Sequence, residues 1–199
     1  MVDSLINNAK FVQAIKDVEN NYALARRSGE IKPTGVSGEF VWFPGKSPEG
    51  GLPTLAWGHK LTPSEWESKK IYGKSFAHGM TDADVHGILL QDIENCENRA
   101  AKDWDRYQGD KAKMPWSSLK EAYRAVLVNL AFNAGLVKEG KWVWNNVAKG
   151  IIAGDDNLVV SSMVTSYKKP DGTRVRLTSR AKLIAEAMGL PTTSLDKVE

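Results

Sequence analysis

The stretch that decides the fold is Leu52-Pro53-Thr54-Leu55-Ala56-Trp57-Gly58-His59-Lys60-Leu61-Thr62. It predicts a short β element, because side chains alternate between the two faces of a strand. One predicted face carries Thr54, Ala56 and Gly58, and the other carries Leu55, Trp57 and His59. The first face has small side chains beside the threonine hydroxyl, so a ligand or another chain segment can approach its backbone closely.

A helix with an acid at its end is predicted before this stretch. The spacing of apolar residues predicts that it runs to about Tyr22. Glu19 falls four residues after Ile15, at the end of an otherwise apolar stripe. Desolvation disfavours the charged form of such a carboxyl, and a general acid must be protonated to act. The alternative interpretation is an ordinary glutamate at a helix end, paired with Arg26 or Arg27.

Residues 28–53 form the least regular part of the chain. Glycine and proline recur every few positions, which predicts a small β lobe or an elaborated loop. Within it, Glu39-Phe40-Val41-Trp42-Phe43 predicts one short strand. Loops of this length usually have a function in a compact domain.

After Thr62 the chain is predicted to be mainly helical. Three segments have the features of a helix start, namely Thr62-Pro63-Ser64-Glu65, Thr81-Asp82-Ala83-Asp84 and Ser118-Leu119-Lys120-Glu121. The last of these predicts a capping box for the strongest helix, over residues 119–134. Residues 99–113 are interpreted as a helix end and an exposed connection. Further helices are predicted over residues 142–154, 155–167 and 177–189.

Two asparagines lie on one edge of the strongest predicted helix. This helix is apolar almost all round, which is typical of a helix in the middle of a bundle. Asn129 and Asn133 are four residues apart. A buried asparagine needs hydrogen-bond partners, either from neighbouring backbone or from a substrate amide. We favour a structural role for Asn129, whereas Asn133 is compatible with either a structural role or substrate binding.

The composition is that of an ordinary globular protein. Its 199 residues, 42% hydrophobic and 26% charged, suit one domain or a small lobe joined to a larger one. The single cysteine, Cys96, excludes an internal disulfide, and neither it nor the scattered histidines have zinc-site spacing. We therefore expect no metal and no cofactor. The net charge of +3 is too small to indicate a nucleic-acid partner.

The order of these features resembles the phage lysozyme family, the muramidases of phage endolysins. The resemblance begins with the acid-ended helix and the motif Thr-Leu-Ala-Trp-Gly-His at residues 54–59. It continues with residues 131–135, which resemble a Phe-Asn-x-Gly segment of that family's central helix. Residues 177–186 resemble its helix near the C-terminus, which contains arginine and glutamate. The match is in pattern more than in identity, but it extends over most of the chain.

The resemblance implies a lysozyme-like α+β fold that is mostly α. It would form a single domain over residues 1–199, with an N-terminal helix at 1–24, a small β lobe at 25–62, a helical lobe at 63–190 and a tail at 191–199. A cleft between the two lobes would hold the substrate.

The resemblance also assigns candidate catalytic residues. Glu19 occupies the position of the catalytic acid, and Thr54 that of a threonine lining the cleft opposite it. The family usually has an aspartate six residues before this threonine, where the chain has Pro48. Glu49 is therefore the candidate second carboxylate. The lesser candidates for this role are Glu39 and Glu30.

Other residues are implied to surround the site. His59 matches a histidine that is usually the structural partner of an acid, and Arg180 lies in the matched helix near the C-terminus. Trp57 and Trp42 offer aromatic surfaces for stacking against sugars, although both could simply pack the lobe. Asn133 is the further candidate for substrate binding. Ala56 replaces a glycine of the family's motif, and the longer spacing from Glu19 to Thr54 indicates an insertion.

The function implied is hydrolysis of the β-1,4 bond between N-acetylmuramic acid and N-acetylglucosamine in peptidoglycan. One alternative is a lytic transglycosylase that forms anhydro ends. Another is a non-catalytic protein that binds peptidoglycan or belongs to a phage tail.

The expected setting follows from the N-terminus, which lacks a basic region followed by an apolar run. We expect a monomer made in the host cytoplasm without a signal peptide. It would act on the cell wall after the membrane is permeabilised, with peptidoglycan strands as partner, no nucleic acid and no stable membrane insertion.

Overall fold

The computed structural model describes residues 3–19, 31–33, 40–45, 53–108, 114–168 and 172–197. The α-helices are α1 Ala9–Glu19, α2 Pro63–Ser68, α3 Asp82–Gln108, α4 Glu121–Asn133, α5 Asn145–Ala153, α6 Asp156–Ser162 and α7 Thr178–Ala187. The strands are β1 Ile31–Pro33, β2 Phe40–Trp42, β3 Thr54–Leu55, β4 His59–Lys60, β5 Lys70–Ile71, β6 Lys74–Ser75, β7 Val137–Lys138, β8 Lys141–Trp142, β9 Ser166–Lys168 and β10 Arg174–Arg176. Short 3-10 turns cover Leu5–Asn7, Trp116–Ser118 and Leu195–Lys197.

The described strands form small antiparallel sheets. Each sheet has two strands, and the pairs are β1 with β2, β3 with β4, β5 with β6, β7 with β8 and β9 with β10. Helices make up most of the regular structure. The prediction of a mostly helical α+β protein is therefore confirmed.

The chain divides into two compact units. The smaller unit is Glu19–Asp92, and the larger one combines Met1–Val18 with Ile93–Glu199. The smaller unit thus extends past residue 62, where the sequence predicted the end of the small lobe. The boundaries fall at the end of α1 and inside α3, so both of these helices contribute residues to both units.

The smaller unit has its own hydrophobic core. The buried side chains of this core are Trp42, Leu55, Leu61, Ile71, Phe76, Met80, Val85 and Ile88. Ala56 and Trp57 pack against it. The backbone of Trp42 exchanges two hydrogen bonds with that of Met80, which fixes β2 beside the start of α3.

The deciding stretch is a hairpin, and its prediction as a single alternating strand is wrong. Thr54 pairs with Lys60 and Leu55 with His59, so residues 56–58 form the turn. Ala56 and Gly58 both have positive φ, 47° and 89°, which no strand residue adopts. Each strand of the hairpin has only two residues. A strand this short cannot be told from a turn by the alternation of side chains in the sequence.

The larger unit is built around α4. Residues 123–131 of this helix are all buried, as the apolar sequence predicted. Helix α7 packs against α4, and α6 packs against both α5 and α7. Helix α1 contributes an apolar face consisting of Phe11, Val12, Ala14 and Ile15.

A buried ion pair joins the N-terminal segment to this core. Arg124 Nη1 of α4 lies 3.3 Å from Glu97 Oε1 of α3, with side-chain exposures of 5% and 10%. The Ser4 hydroxyl and the Leu5 N–H donate to Glu97 Oε2, at 2.6 and 3.0 Å. Arg124 also donates to the carbonyl of Asp3, at 2.8 Å. These bonds pair the two buried charges with each other and fix the start of the chain.

Two of the predicted helix starts are confirmed and one is wrong. Thr62 and Glu65 form a capping box at α2, and Thr81 and Asp84 exchange the same bonds at α3. Ser118 instead belongs to a 3-10 turn and donates its hydroxyl hydrogen to the carbonyl of Pro115. Its side chain is therefore not a cap of α4.

Other helix bounds also differ from the predictions. Helix α3 continues to Gln108, with Trp104 fully buried, where an exposed connection was predicted. Trp142 lies in strand β8 and not in the helix predicted over 142–154. The helix predicted to reach Tyr167 ends at Ser162, because residues 166–168 pair with β10.

The turn between β7 and β8 gives a prediction about stability. Glu139 and Gly140 have φ values of 50° and 74°, the pattern of a two-residue hairpin turn that favours Asn-Gly. We expect Glu139→Asn to raise the free energy of unfolding by about 0.5 kcal/mol, because asparagine tolerates positive φ better than glutamate.

The control is Gly140→Ala, measured with Glu139→Asn by urea unfolding. No heavy atom lies within 4 Å of a Cβ built on Gly140, so its effect isolates backbone strain. It should lower the free energy of unfolding by about 1 kcal/mol. Effects of the same sign for both variants would contradict the assignment of this turn.

Candidate active site

Glu19 is the last residue of α1. The helix buries its apolar face, which includes Phe11 and Ile15, and Glu19 itself is partly exposed. Its assignment to the smaller unit places it in the same compact unit as the hairpin at residues 54–60. Arg26 and Arg27, the partners considered for an ordinary helix-end glutamate, lie outside the described residues.

Thr54 is held by its backbone on both sides. It pairs with Lys60 across the hairpin, and it exchanges two hydrogen bonds with Gly45, at 2.8 and 2.9 Å. Its side chain is partly exposed. Backbone pairing on both sides fixes the Cα from which the Thr54 hydroxyl projects, which suits a residue that orients a water.

Trp42 and Trp57 differ in what they can contact. The Trp42 ring is 2% exposed and its indole N–H donates to Asp82, so the prediction that it stacks against a sugar is wrong. It packs the core of the smaller unit instead. Trp57 lies 5.4 Å from Trp42 between ring centroids, at an angle of 46°, and is partly exposed. It remains a candidate for substrate contact.

His59 lies between two carboxylates. Its Nδ1 is 2.8 Å from Asp92 Oδ2, and its Nε2 is 3.3 Å from Glu65 Oε1. Tyr72 donates its hydroxyl hydrogen to Asp92 at 2.5 Å and meets the imidazole edge-on. As the resemblance implies for this histidine, it is a partner of acids. It connects β4 to α2 and α3.

The charges of His59 and its two neighbouring carboxylates stabilise one another. Burial alone lowers the pKa of His59, but Asp92 and Glu65 outweigh it, so the pKa is raised above 6.5. Burial raises the pKa of Glu65, but hydrogen bonds from Thr62 and the nearby His59 hold it below 4.5. A protonated His59 donates from both nitrogens, which both facing carboxylates accept.

The free energy of unfolding should therefore depend on whether His59 is protonated. A raised pKa means that the folded state binds the proton more tightly, so the stabilisation is complete below pH 6.5 and is lost as the pH rises through the raised value. We expect the urea midpoint of the wild type to fall across this interval. The same decrease should be absent in His59→Gln. An equal decrease in both proteins would contradict the role given to this histidine.

Arg180 and Asn129 form a pair that the sequence did not predict. The Arg180 Nε donates to Asn129 Oδ1 at 3.2 Å, from α7 to the buried face of α4. Asn129 is 2% exposed, so this bond satisfies the oxygen of a buried amide and orients the guanidinium. The structural interpretation of Asn129 agrees with this contact. The helical spacing correctly predicted the position of Asn129 on α4. It carries no information on which other helix supplies the hydrogen-bond partner.

Asn133 lies in a different environment. It is exposed at the end of α4, and its Nδ2 is 3.4 Å from the Thr165 hydroxyl. The contact is long, so the amide is accessible to a ligand. Asn133 and Arg180 belong to the larger unit, whereas Glu19, Thr54, Trp57 and His59 belong to the smaller one.

The structure does not describe the positions of the candidates for the second carboxylate. Glu49, Glu39 and Glu30 all lie outside the described residues, as does Pro48. Asp92 was missed as the partner of His59, although an acid on the apolar face of a predicted helix was a signal for it. In the described ranges, no group of three histidine, cysteine or acidic residues is arranged to hold a metal.

Comparison with protein-family models, with characterised proteins and with solved structures finds no match to this chain. None of the helices in the described ranges is both long and apolar enough to span a membrane.

Proposed function

We propose that this protein is a glycosidase of the phage lysozyme type that hydrolyses peptidoglycan between N-acetylmuramic acid and N-acetylglucosamine. One observation carries the proposal: Glu19, at the end of α1, shares a compact unit with the hairpin that presents Thr54 and His59. The resemblance from the sequence names the same residues. The mostly helical α+β architecture is compatible with it.

The chemistry requires a proton for the leaving oxygen and an anion or activated water for the oxocarbenium-like centre. Glu19 is the general acid and gives its proton to the glycosidic oxygen. Thr54 orients the attacking water, and Glu49 stabilises the developing positive charge or activates that water. His59 contacts no substrate in this scheme. It holds the hairpin against α2 and α3 through Glu65 and Asp92.

A lytic transglycosylase is the second candidate. It is favoured by Pro48, which stands where the lysozyme pattern has an aspartate. A transglycosylase needs one acid and forms an anhydro end by attack of the sugar's own hydroxyl, so no second carboxylate is required. The two reactions release different ends from the same glycan bond.

Product analysis tests the proposal. Purified peptidoglycan is digested with the full chain, and the soluble fragments are examined by mass spectrometry. A reducing muramic acid end is the expected result. Anhydro ends would replace the hydrolase by the transglycosylase, whereas reducing glucosamine ends would overturn the assigned bond.

A binding assay addresses the third alternative in the same preparation. If the chain sediments with insoluble peptidoglycan but releases no fragment, the glycosidase proposal fails and a non-catalytic binding protein remains.

A further inference from the structure

A basic groove lies at the start of α7 in the larger unit. It encloses 780 Å³, within the size range of small-ligand sites. Its charged lining in the described part of the chain consists of Arg174, Arg176, Lys182 and Asp196. Three cations therefore face one acid. This is a local excess of positive charge in a protein whose overall charge is only +3.

The two arginines are arranged along a strand. Arg174 and Arg176 are two residues apart in β10, so their side chains leave the same face, about 7 Å apart along the strand. Both are exposed. The guanidinium group is a planar fork that binds two oxygens of a phosphate at once. Two such forks in a row suit anionic groups that repeat along a chain.

Lys182 adds a third charge from the first half of α7. Its Nζ lies 3.9 Å from Glu186, but the two side chains are 59% and 52% exposed. A pair this exposed is weak, so it does not hold Lys182 away from an anion in the groove.

The first turn of α7 adds donors to the same groove. Thr178 and Ser179 line the groove in the first turn of α7, at the end of a helix where backbone N–H groups have no partner within the helix. The N-cap residue is Leu177, which has no side-chain acceptor for them. The positive end of the helix dipole favours an anion near this turn.

We propose that this groove binds the phosphate groups of a linear polyanion, a phosphodiester or polyphosphate chain. The donors come from two elements, β10 and the first half of α7, and a phosphate group with four oxygens can accept from both. The spacing of the arginines along β10 gives a chain of phosphates an advantage over a single one. The proposal does not depend on the glycosidase activity, and either can fail alone.

The test is calorimetric titration of the full chain with linear polyphosphate. Arg174→Ala/Arg176→Ala should raise the Kd at least tenfold. The matched control, Arg106→Ala/Lys149→Ala, removes two exposed charges of the same unit outside the groove and should change the Kd less than twofold. Asp196→Asn should lower the Kd, and added salt should raise it for the wild type.

Other outcomes would overturn the proposal. Equal losses in the two double variants would mean that net charge and not the groove attracts the polyanion. A Kd for inorganic phosphate as low as that for polyphosphate would exclude recognition of a chain. Binding to phosphatidylglycerol vesicles without binding to polyphosphate would assign the groove to a membrane surface. Circular dichroism spectra of all variants show whether a loss of binding is a loss of fold.

Discussion

Under the proposed glycosidase mechanism, Glu19→Gln should reduce the rate of peptidoglycan hydrolysis by about 10³-fold, because general acid catalysis contributes on the order of 10²–10⁴-fold. Glutamine keeps the size of the side chain and its place at the end of α1, but it has no proton to give to the glycosidic oxygen. The initial rate of release of reducing ends from purified peptidoglycan measures this effect.

The matched control for this experiment is on the same helix. Asp17 is exposed and accepts a hydrogen bond from Gln13, so Asp17→Asn makes the same change of charge two residues before Glu19. Its activity should stay within about twofold of the wild type, since exposed substitutions away from a site have small effects. If both variants retain full activity, Glu19 is not the acid.

Glu97→Gln should lower the free energy of unfolding by about 3 kcal/mol. Removing one partner of a buried ion pair leaves the other charge uncompensated, which costs roughly 3–5 kcal/mol. Arg124 would keep its bond to the carbonyl of Asp3 but lose its counter-charge. Ser4 and Leu5 would donate to a neutral oxygen, so the N-terminal segment would also be held less tightly.

Urea unfolding measures this loss, and an exposed glutamate provides the comparison. Glu186→Gln makes the same substitution where the ion pair is solvent-exposed, and it should cost less than about 0.5 kcal/mol. The double variant Glu97→Gln/Arg124→Met should cost less than the sum of its two single variants, because the second change removes the stranded charge. Additive losses would contradict the coupling of Glu97 to Arg124.

The sequence predicted features that depend on neighbouring residues. Thr62 with Glu65 and Thr81 with Asp84 cap their helices as expected, because a capping box is complete within four residues. The same reasoning failed at Ser118, where Pro115 begins a 3-10 turn that takes the serine out of the cap position. The buried character of α4 was visible because nearly every position is apolar.

Contacts between distant segments could not be predicted from spacing. Asp92 and His59 are 33 residues apart, and the sequence indicated His59 as the partner of an acid without identifying Asp92 as that acid. The sequence left two interpretations of Trp42 open, stacking against a sugar and packing of the core. Its burial shows that it packs the core, and this burial depends on the contacts of β2 with Met80 and Asp82. The candidate acid Glu19 followed from its position on α1 and from the resemblance, whereas the glutamates proposed as its counterpart lie outside the described residues.

The bonds that fix the N-terminal segment also set an order of folding. Arg124 and the carbonyl of Asp3 are separated by 121 residues, and Ser4 and Glu97 by 93. During synthesis the first residues leave the ribosome long before their partners exist, whereas residues 19–92 are contiguous and emerge together. The smaller unit can therefore fold first, and the larger one folds more slowly because its contacts join residues far apart in the sequence.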